Sequence, residues 1–172
     1  FIRDRLCNIM NLCHHISGIF FFSLIFVISS VSSETLEYEE LKIGYGEDFT
    51  ISNSEVWLDG DILVDGNLSI ENSHINVNRS IDLTVSEIRI NSTGELRISN
   101  STISTIGNDT LSYSMYTIVS DAGSLIISNS SIDYSMIWLV SGEATIEDTL
   151  LDGQSIVNYG IFSEDTILNM DN

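Results

Sequence analysis

Gly94-Glu95-Leu96-Arg97-Ile98-Ser99-Asn100-Ser101-Thr102-Ile103 is a phrase that the chain uses repeatedly. It returns as GNLSIENSHI from Gly66 to Ile75 and as GSLIISNSSI from Gly123 to Ile132. GEATIEDTLL, from Gly142 to Leu151, is a worn copy. A half-copy stands upstream from Phe49 to Val56, and a shortened one downstream from Gly160 to Leu168. The shared pattern is Gly-x-Leu-x-Ile-x-Asn-Ser-x-Ile. Its Asn or Asp falls at Asn53, Asn72, Asn100, Asn129, Asp148 and Asp165, in steps of 19, 28, 29, 19 and 17 residues.

Fixed phrases at such periods mean a solenoid, in which each repeat buries its apolar face only against its neighbours. The Leu and Ile of each full copy stand two apart with a mostly polar residue between them. Period two is a strand with one face buried, not a helix. A leucine-rich repeat would carry a helical half, and a left-handed hexapeptide helix would repeat at six; neither pattern is present.

The spacing resolves a coil into three short strands. In the first they cover 56–58, 62–64 and 68–70, with turns at Asp59-Gly60 and Asp65-Gly66 and a bend at Asn72. The middle strands of later coils fall at 88–90, 116–119, 137–140 and 155–157. The longer steps carry insertions at one corner, near 78–87 and 106–114. Solenoids often use such a loop face for binding. About six aliphatic side chains per coil, at roughly 1.5–3 kcal/mol each when buried, hold such a stack together without disulfides.

Asn tolerates the left-handed backbone that a sharp bend needs. Stacked once per coil, the amides of Asn53, Asn72, Asn100 and Asn129 are expected to bond along the stack as Asn ladders do. Asp148 and Asp165 replace the bend residue but not the amide donor, so the ladder should weaken toward the C-terminus.

This phrase resembles the right-handed parallel β-helix of the pectin-lyase-like superfamily, in particular its secreted, acidic, Asn/Ser/Ile-rich members from archaea and environmental genomes. The resemblance covers about residues 45–172. It implies an all-β solenoid of about five to six coils and supplies the handedness, which periodicity does not. It also implies where a site would lie, in a groove beside one sheet. Lyases there use a basic residue near carboxylate-bound Ca²⁺, and glycosidases use clustered Asp.

Upstream, Arg3 and Arg5 precede an apolar run whose centre is residues 19–28. A membrane-spanning helix needs about 20 apolar residues, so this run reads as the apolar part of a secretory signal peptide. Small residues at Val31-Ser32-Ser33 predict cleavage that leaves Glu34 first; an uncleaved anchor is the alternative. The expected organisation is a signal peptide at 1–33, a linker or cap at 34–44 and β-helix repeats over 45–172. The chain opens on Phe1 rather than Met, with Met10 a plausible start, and ends at Asn172 without a terminating feature. A fragment of a longer protein is therefore expected. Cys7 and Cys13 both lie in the leader, which leaves the repeats no thiol chemistry and no disulfide.

Composition narrows the functions further. The 172 residues hold 25 Asp plus Glu against 6 Lys plus Arg, a net charge of −19. Polyanion binding by counterion release needs cationic surface, so nucleic acid is excluded as a partner. The same deficit excludes a polybasic membrane-surface protein, and no membrane contact is expected after signal cleavage. Beyond Glu34 the cations are Lys42, Arg79, Arg89 and Arg97.

No catalytic set emerges. Arg89 and Arg97 should point outward from one coil on different faces, as charges that solvate a sheet. The middle strands present Leu63, Arg89, Thr117 and Trp138, with no carboxylate pair on adjacent coils. Asp59-Gly60-Asp61, Asp65-Gly66 and Asp152-Gly153 suit turns better than the six to eight oxygens that Ca²⁺ requires, so no cofactor is expected, with Ca²⁺ at these turns the alternative. His74 alone makes neither a metal site nor a triad. Six Asn-x-Ser/Thr sequons occur, at Asn67, Asn78, Asn91, Asn100, Asn108 and Asn129. Asn78 and Asn108, in expected loops, are the candidate glycosylation sites; a glycan on Asn100 or Asn129 is expected to break the ladder. Trp57, Trp138, Tyr113, Tyr116, Tyr134 and Tyr159 offer either a sugar platform or packing. The expectation is a non-enzymatic, secreted or cell-surface solenoid that contacts an extracellular polysaccharide or a cell-surface partner. The alternative is a fragment of a polysaccharide lyase or glycoside hydrolase whose active-site coils lie elsewhere.

Overall fold

The computed structural model describes residues 33–78, 87–106, 116–133, 135–152 and 161–171. These are all-β. The strands follow the chain coil by coil. The first coil is β1 (Glu34–Tyr38), β2 (Leu41–Ile43) and β3 (Asp48–Ser52). The second is β4 (Ser54–Leu58), β5 (Ile62–Val64) and β6 (Asn67–Glu71). The third is β7 (His74–Asn78), β8 (Glu87–Ile90) and β9 (Glu95–Ser99). In the fourth, β10 (Thr102–Ile106) is followed by β11 (Tyr116–Ser128), which supplies two faces. The fifth repeats this with β12 (Ser131–Asp133) and β13 (Ser135–Glu147). The sixth is β14 (Leu150–Asp152), β15 (Ile161–Ser163) and β16 (Thr166–Asp171).

Every pairing is parallel, and each strand pairs with its counterpart one coil away. The first face is a six-stranded sheet in the order β1-β4-β7-β10-β12-β14. The second and third faces join into one sheet because β11 and β13 run around the corner between them. That corner shows as a register shift between Ser120 and Ser124, with Ala122 in the left-handed region. Stacked parallel faces of this kind are compatible with the expected β-solenoid. Each face carries six rungs among the described residues.

The period-two pattern is the reason for the core. On the second face Leu41, Ile62, Ile88, Ile118 and Ile137 stack in register and are buried. On the third face Ile51, Ile70, Ile98, Ile127 and Ile146 do the same. On the first face the column is Val56, Ile75, Ile103 and Ile132. Residues between them face out. Gly94, which opens the phrase, sits at a tight corner. A Cβ there would run into the Val64 carbonyl oxygen of the coil before.

Three expectations shift. Residues 34–44 carry β1 and β2, the first rungs of their faces among the described residues. The last middle strand is Ile161–Ser163, in register with Ile137–Leu139; the expected 155–157 lies outside the described residues. Asp165 is not a bend residue of the ladder. Its neighbour Thr166 pairs with Gly142, and Asp171 pairs with Glu147, so Asp165 stands at the corner before the third face. The short downstream copy, aligned on Asp165, was out of register with the strands. The leader, residues 1–32, also lies outside the described residues.

Candidate functional site

The bend of each coil is built by two adjacent residues with different tasks. Asn53, Asn72, Asn100, Asn129 and Asp148 adopt φ values of 52°, 49°, 48°, 47° and 45°. Their backbone N–H groups donate to the next coil, Asn72 to Ser99 O and Asn100 to Ser128 O, for example. Their side chains are exposed. No hydrogen bond joins these amides among the described residues. The expected amide ladder is therefore replaced by another. The following serine points inward: Ser54, Ser73, Ser101 and Ser130 are buried. Each hydroxyl donates back two residues, Ser101 Oγ to Ser99 O at 2.7 Å. Those of Ser73, Ser101 and Ser130 also accept from the coil before: Ser54 N–H to Ser73 Oγ at 3.2 Å, Ser73 N–H to Ser101 Oγ at 3.1 Å, Ser101 N–H to Ser130 Oγ at 3.2 Å. At Thr149 the hydroxyl still donates to Glu147 O. An inward left-handed bend leaves a strand N–H without a carbonyl, and a buried hydroxyl fills the gap. The signal was the Ser after every Asn of the phrase.

The turn aspartates are structural acceptors across coils. Asp59 Oδ1 takes the Asn78 amide at 2.7 Å, Asp61 Oδ1 the Glu87 N–H at 2.8 Å, and Asp65 Oδ1 the Asn91 amide at 2.8 Å. Asn67 donates likewise to Asp48 Oδ1 at 2.6 Å. Among the described residues no group of three or more His, Cys, Asp and Glu converges on a metal position. Asn78 lies at the end of β7 rather than in a loop, and its amide is engaged. Asn108 lies outside the described residues.

The cations among the described residues are partnered within their own strand neighbourhoods: Lys42 with Glu40 at 2.9 Å, Arg89 with Glu87, and Arg97 with Glu95 at 2.6 Å; Arg79 lies outside them. Arg89 and Arg97 do fall on the second and third faces of one coil. Lys42 shares the column of Arg89 through Leu63, so Arg89 is not the one cation of that face. Val119, not Thr117, is the register partner of Arg89. Trp138 on the second face is exposed, whereas Tyr116 is buried with its hydroxyl against Ile103 O. Tyr113, Tyr134 and Tyr159 lie outside the described residues. Among the described residues, Trp57, Trp138 and Tyr116 form no single platform.

What sequence reading missed is on the first face. Outward residues of β1 and β4 fall side by side, Glu37 against Trp57. With Tyr38, Glu39, Asp59 and Asn78 they line an open groove of about 470 Å³. Trp57 is 37% exposed there. Glu37 and Glu39 fall in the stretch expected as a linker or cap, and their meeting with Trp57, about 20 residues on, follows from the stacking alone. Beside the groove, Asn76 is buried and outward-facing; its amide donates to Glu55 at 3.3 Å, and Ser104 donates to it at 3.5 Å. His74 Nε2 lies 2.9 Å from Ser104 Oγ, both exposed enough to meet solvent.

Comparison of the chain with protein families, with curated proteins and with solved structures finds no match in any of the three.

Proposed function

We propose that the chain is the right-handed, pectin-lyase-like β-helix part of an exported, non-enzymatic protein that contacts neutral polysaccharide at the cell surface or outside the cell. Handedness is supported by the general rule that parallel crossovers are right-handed. The single observation behind the ligand class is the groove at Trp57. Sugar rings present C–H faces that pack on an indole, while their hydroxyls need acceptors and donors at the rim. Glu37, Glu39 and Asp59 accept, and the Asn78 amide donates. A net charge of −19 repels polyanions and leaves neutral chains as the fitting class.

A second reading, hydrolysis, is favoured by one observation only. Carboxylates of β1 and of the turn after β4 flank the same groove, as two-carboxylate glycoside chemistry requires.

The test uses the two tryptophans of the chain. In a Trp138→Phe background, emission of Trp57 is followed while neutral and acidic polysaccharides are added, with and without Ca²⁺. Saturable change with neutral chains, lost in Trp57→Ala, supports the proposal. No response to any chain overturns it. New reducing ends that disappear in Glu37→Gln or Asp59→Asn replace it with the hydrolase reading, and unsaturated product lost in Arg89→Ala replaces it with a lyase.

A further inference from the structure

The five sequons among the described residues divide in two once the fold is known. Asn67, Asn78 and Asn91 have their amides tied to Asp48, Asp59 and Asp65 of the coil before. Asn100 and Asn129 have exposed side chains on the bend ridge, with no hydrogen bond among the described residues. The feature that discouraged modification there, an amide ladder, is carried instead by the buried hydroxyls of Ser101 and Ser130 behind them.

We propose that Asn100 and Asn129 are the N-glycan acceptors of the described solenoid, a proposal that rests on the export reading above. In the transfer, Asn Nδ2 bonds to the anomeric carbon of a polyprenyl-diphosphate-linked oligosaccharide. The anomeric C–O bond to the diphosphate breaks, the lipid diphosphate leaves, and the transferase takes the amide proton. Asn100-Ser101-Thr102 and Asn129-Ser130-Ser131 supply the hydroxyl residue at the third position. After folding, the glycan extends from an exposed side chain whose amide has no structural duty. On Asn67, Asn78 or Asn91 the sugar would instead be forced against the carboxylate that the amide holds. The two acceptors also stand at the corner between the third and first faces, whereas the Trp57 groove opens near the opposite end of the first-face strands in the early coils. A glycan at Asn100 or Asn129 therefore leaves the groove clear.

The full chain is translated with microsomes, once with its own leader and once with a host leader added in front. Protection from added protease reports entry. Glycosidase-sensitive mass, with the Asn-to-Asp conversion left by enzymatic glycan removal, reports the sites. The expected result is glycan on both Asn100 and Asn129 in protected chains. It should be abolished at those sites in Asn100→Gln/Asn129→Gln and kept in a triple Asn67→Gln/Asn78→Gln/Asn91→Gln variant. Protected, protease-resistant chains bare at either position, or carrying glycan on Asn67, Asn78 or Asn91 instead, overturn the proposal. Entry with the host leader alone overturns the export reading, while the site map of that arm still decides the acceptors.

Discussion

The backbone N–H of Ser73 donates to the hydroxyl of Ser101, 3.1 Å away and 28 positions later in the chain. That bond belongs to a file of buried serines running up one corner. Ser101→Ala is expected to leave the Ser73 N–H without a partner in a dry place, at a cost of about 1–3 kcal/mol. Ser99→Ala, at a half-buried outward position, should stay within about 0.5 kcal/mol. Urea midpoints of the two variants decide it; equal values would mean that water replaces the hydroxyl.

Asn100 is held by its backbone, not by its amide. Asn100→Gly should therefore change stability by no more than about 0.5 kcal/mol, since Gly adopts the left-handed bend freely. Asn100→Ala should lose about 1 kcal/mol or more to the same bend. If Gly proved as costly as Ala, the amide would be bonding after all. Asn91→Ala, which breaks a real amide–carboxylate bond, should cost about 0.5–1.5 kcal/mol.

Gly94→Ala is expected to be among the worst single changes outside the core. The added methyl meets the Val64 carbonyl oxygen, which the sheet holds in place, and an overpacked site costs about 1–3 kcal/mol or more. Thermal melting checks it against Gly46→Ala, where an added Cβ has open space and only the positive φ to resist it.

Tyr116 gives the fold an alkaline edge. Burial, with the charge of Asp133 adding, pushes its phenol far above the ordinary range, against the opposing hydrogen bond with Ser135. A raised acid keeps its contribution below the unfolded value and loses it as pH rises beyond. Above about pH 10 the unfolded chain releases a proton that the folded one keeps. Stability should then fall by about 1.4 kcal/mol per pH unit. Tyr116→Phe should lack that slope, in denaturant titrations from pH 8 to 11.

The Trp57 groove makes a quantitative prediction of its own. Trp57→Ala should weaken saccharide binding at least tenfold, about 1.4 kcal/mol, with a small effect on stability because the ring is already partly in water. Calorimetric titration and a melting curve on the same sample separate the two.

Alternation of Leu68 with Ile70, Leu96 with Ile98 and Leu125 with Ile127 was enough to place strands, buried face and coil count, because these depend on nearest-neighbour periodicity that the chain writes out locally. The left-handed bends from Asn53 to Asp148 were legible for the same reason: a residue's tolerance for positive φ is its own property. Tertiary structure alone decided what depends on register between coils. It moved the last bend away from Asp165, turned Ser101 from a spacer into a buried acceptor, and tied Asn78 to Asp59. It also brought Glu37 beside Trp57, two residues that nothing in the local pattern connects. Side chains on adjacent rungs stand about 4.8 Å apart however far apart they lie in the chain, so such partners follow from the loop lengths between strands and not from the strands themselves.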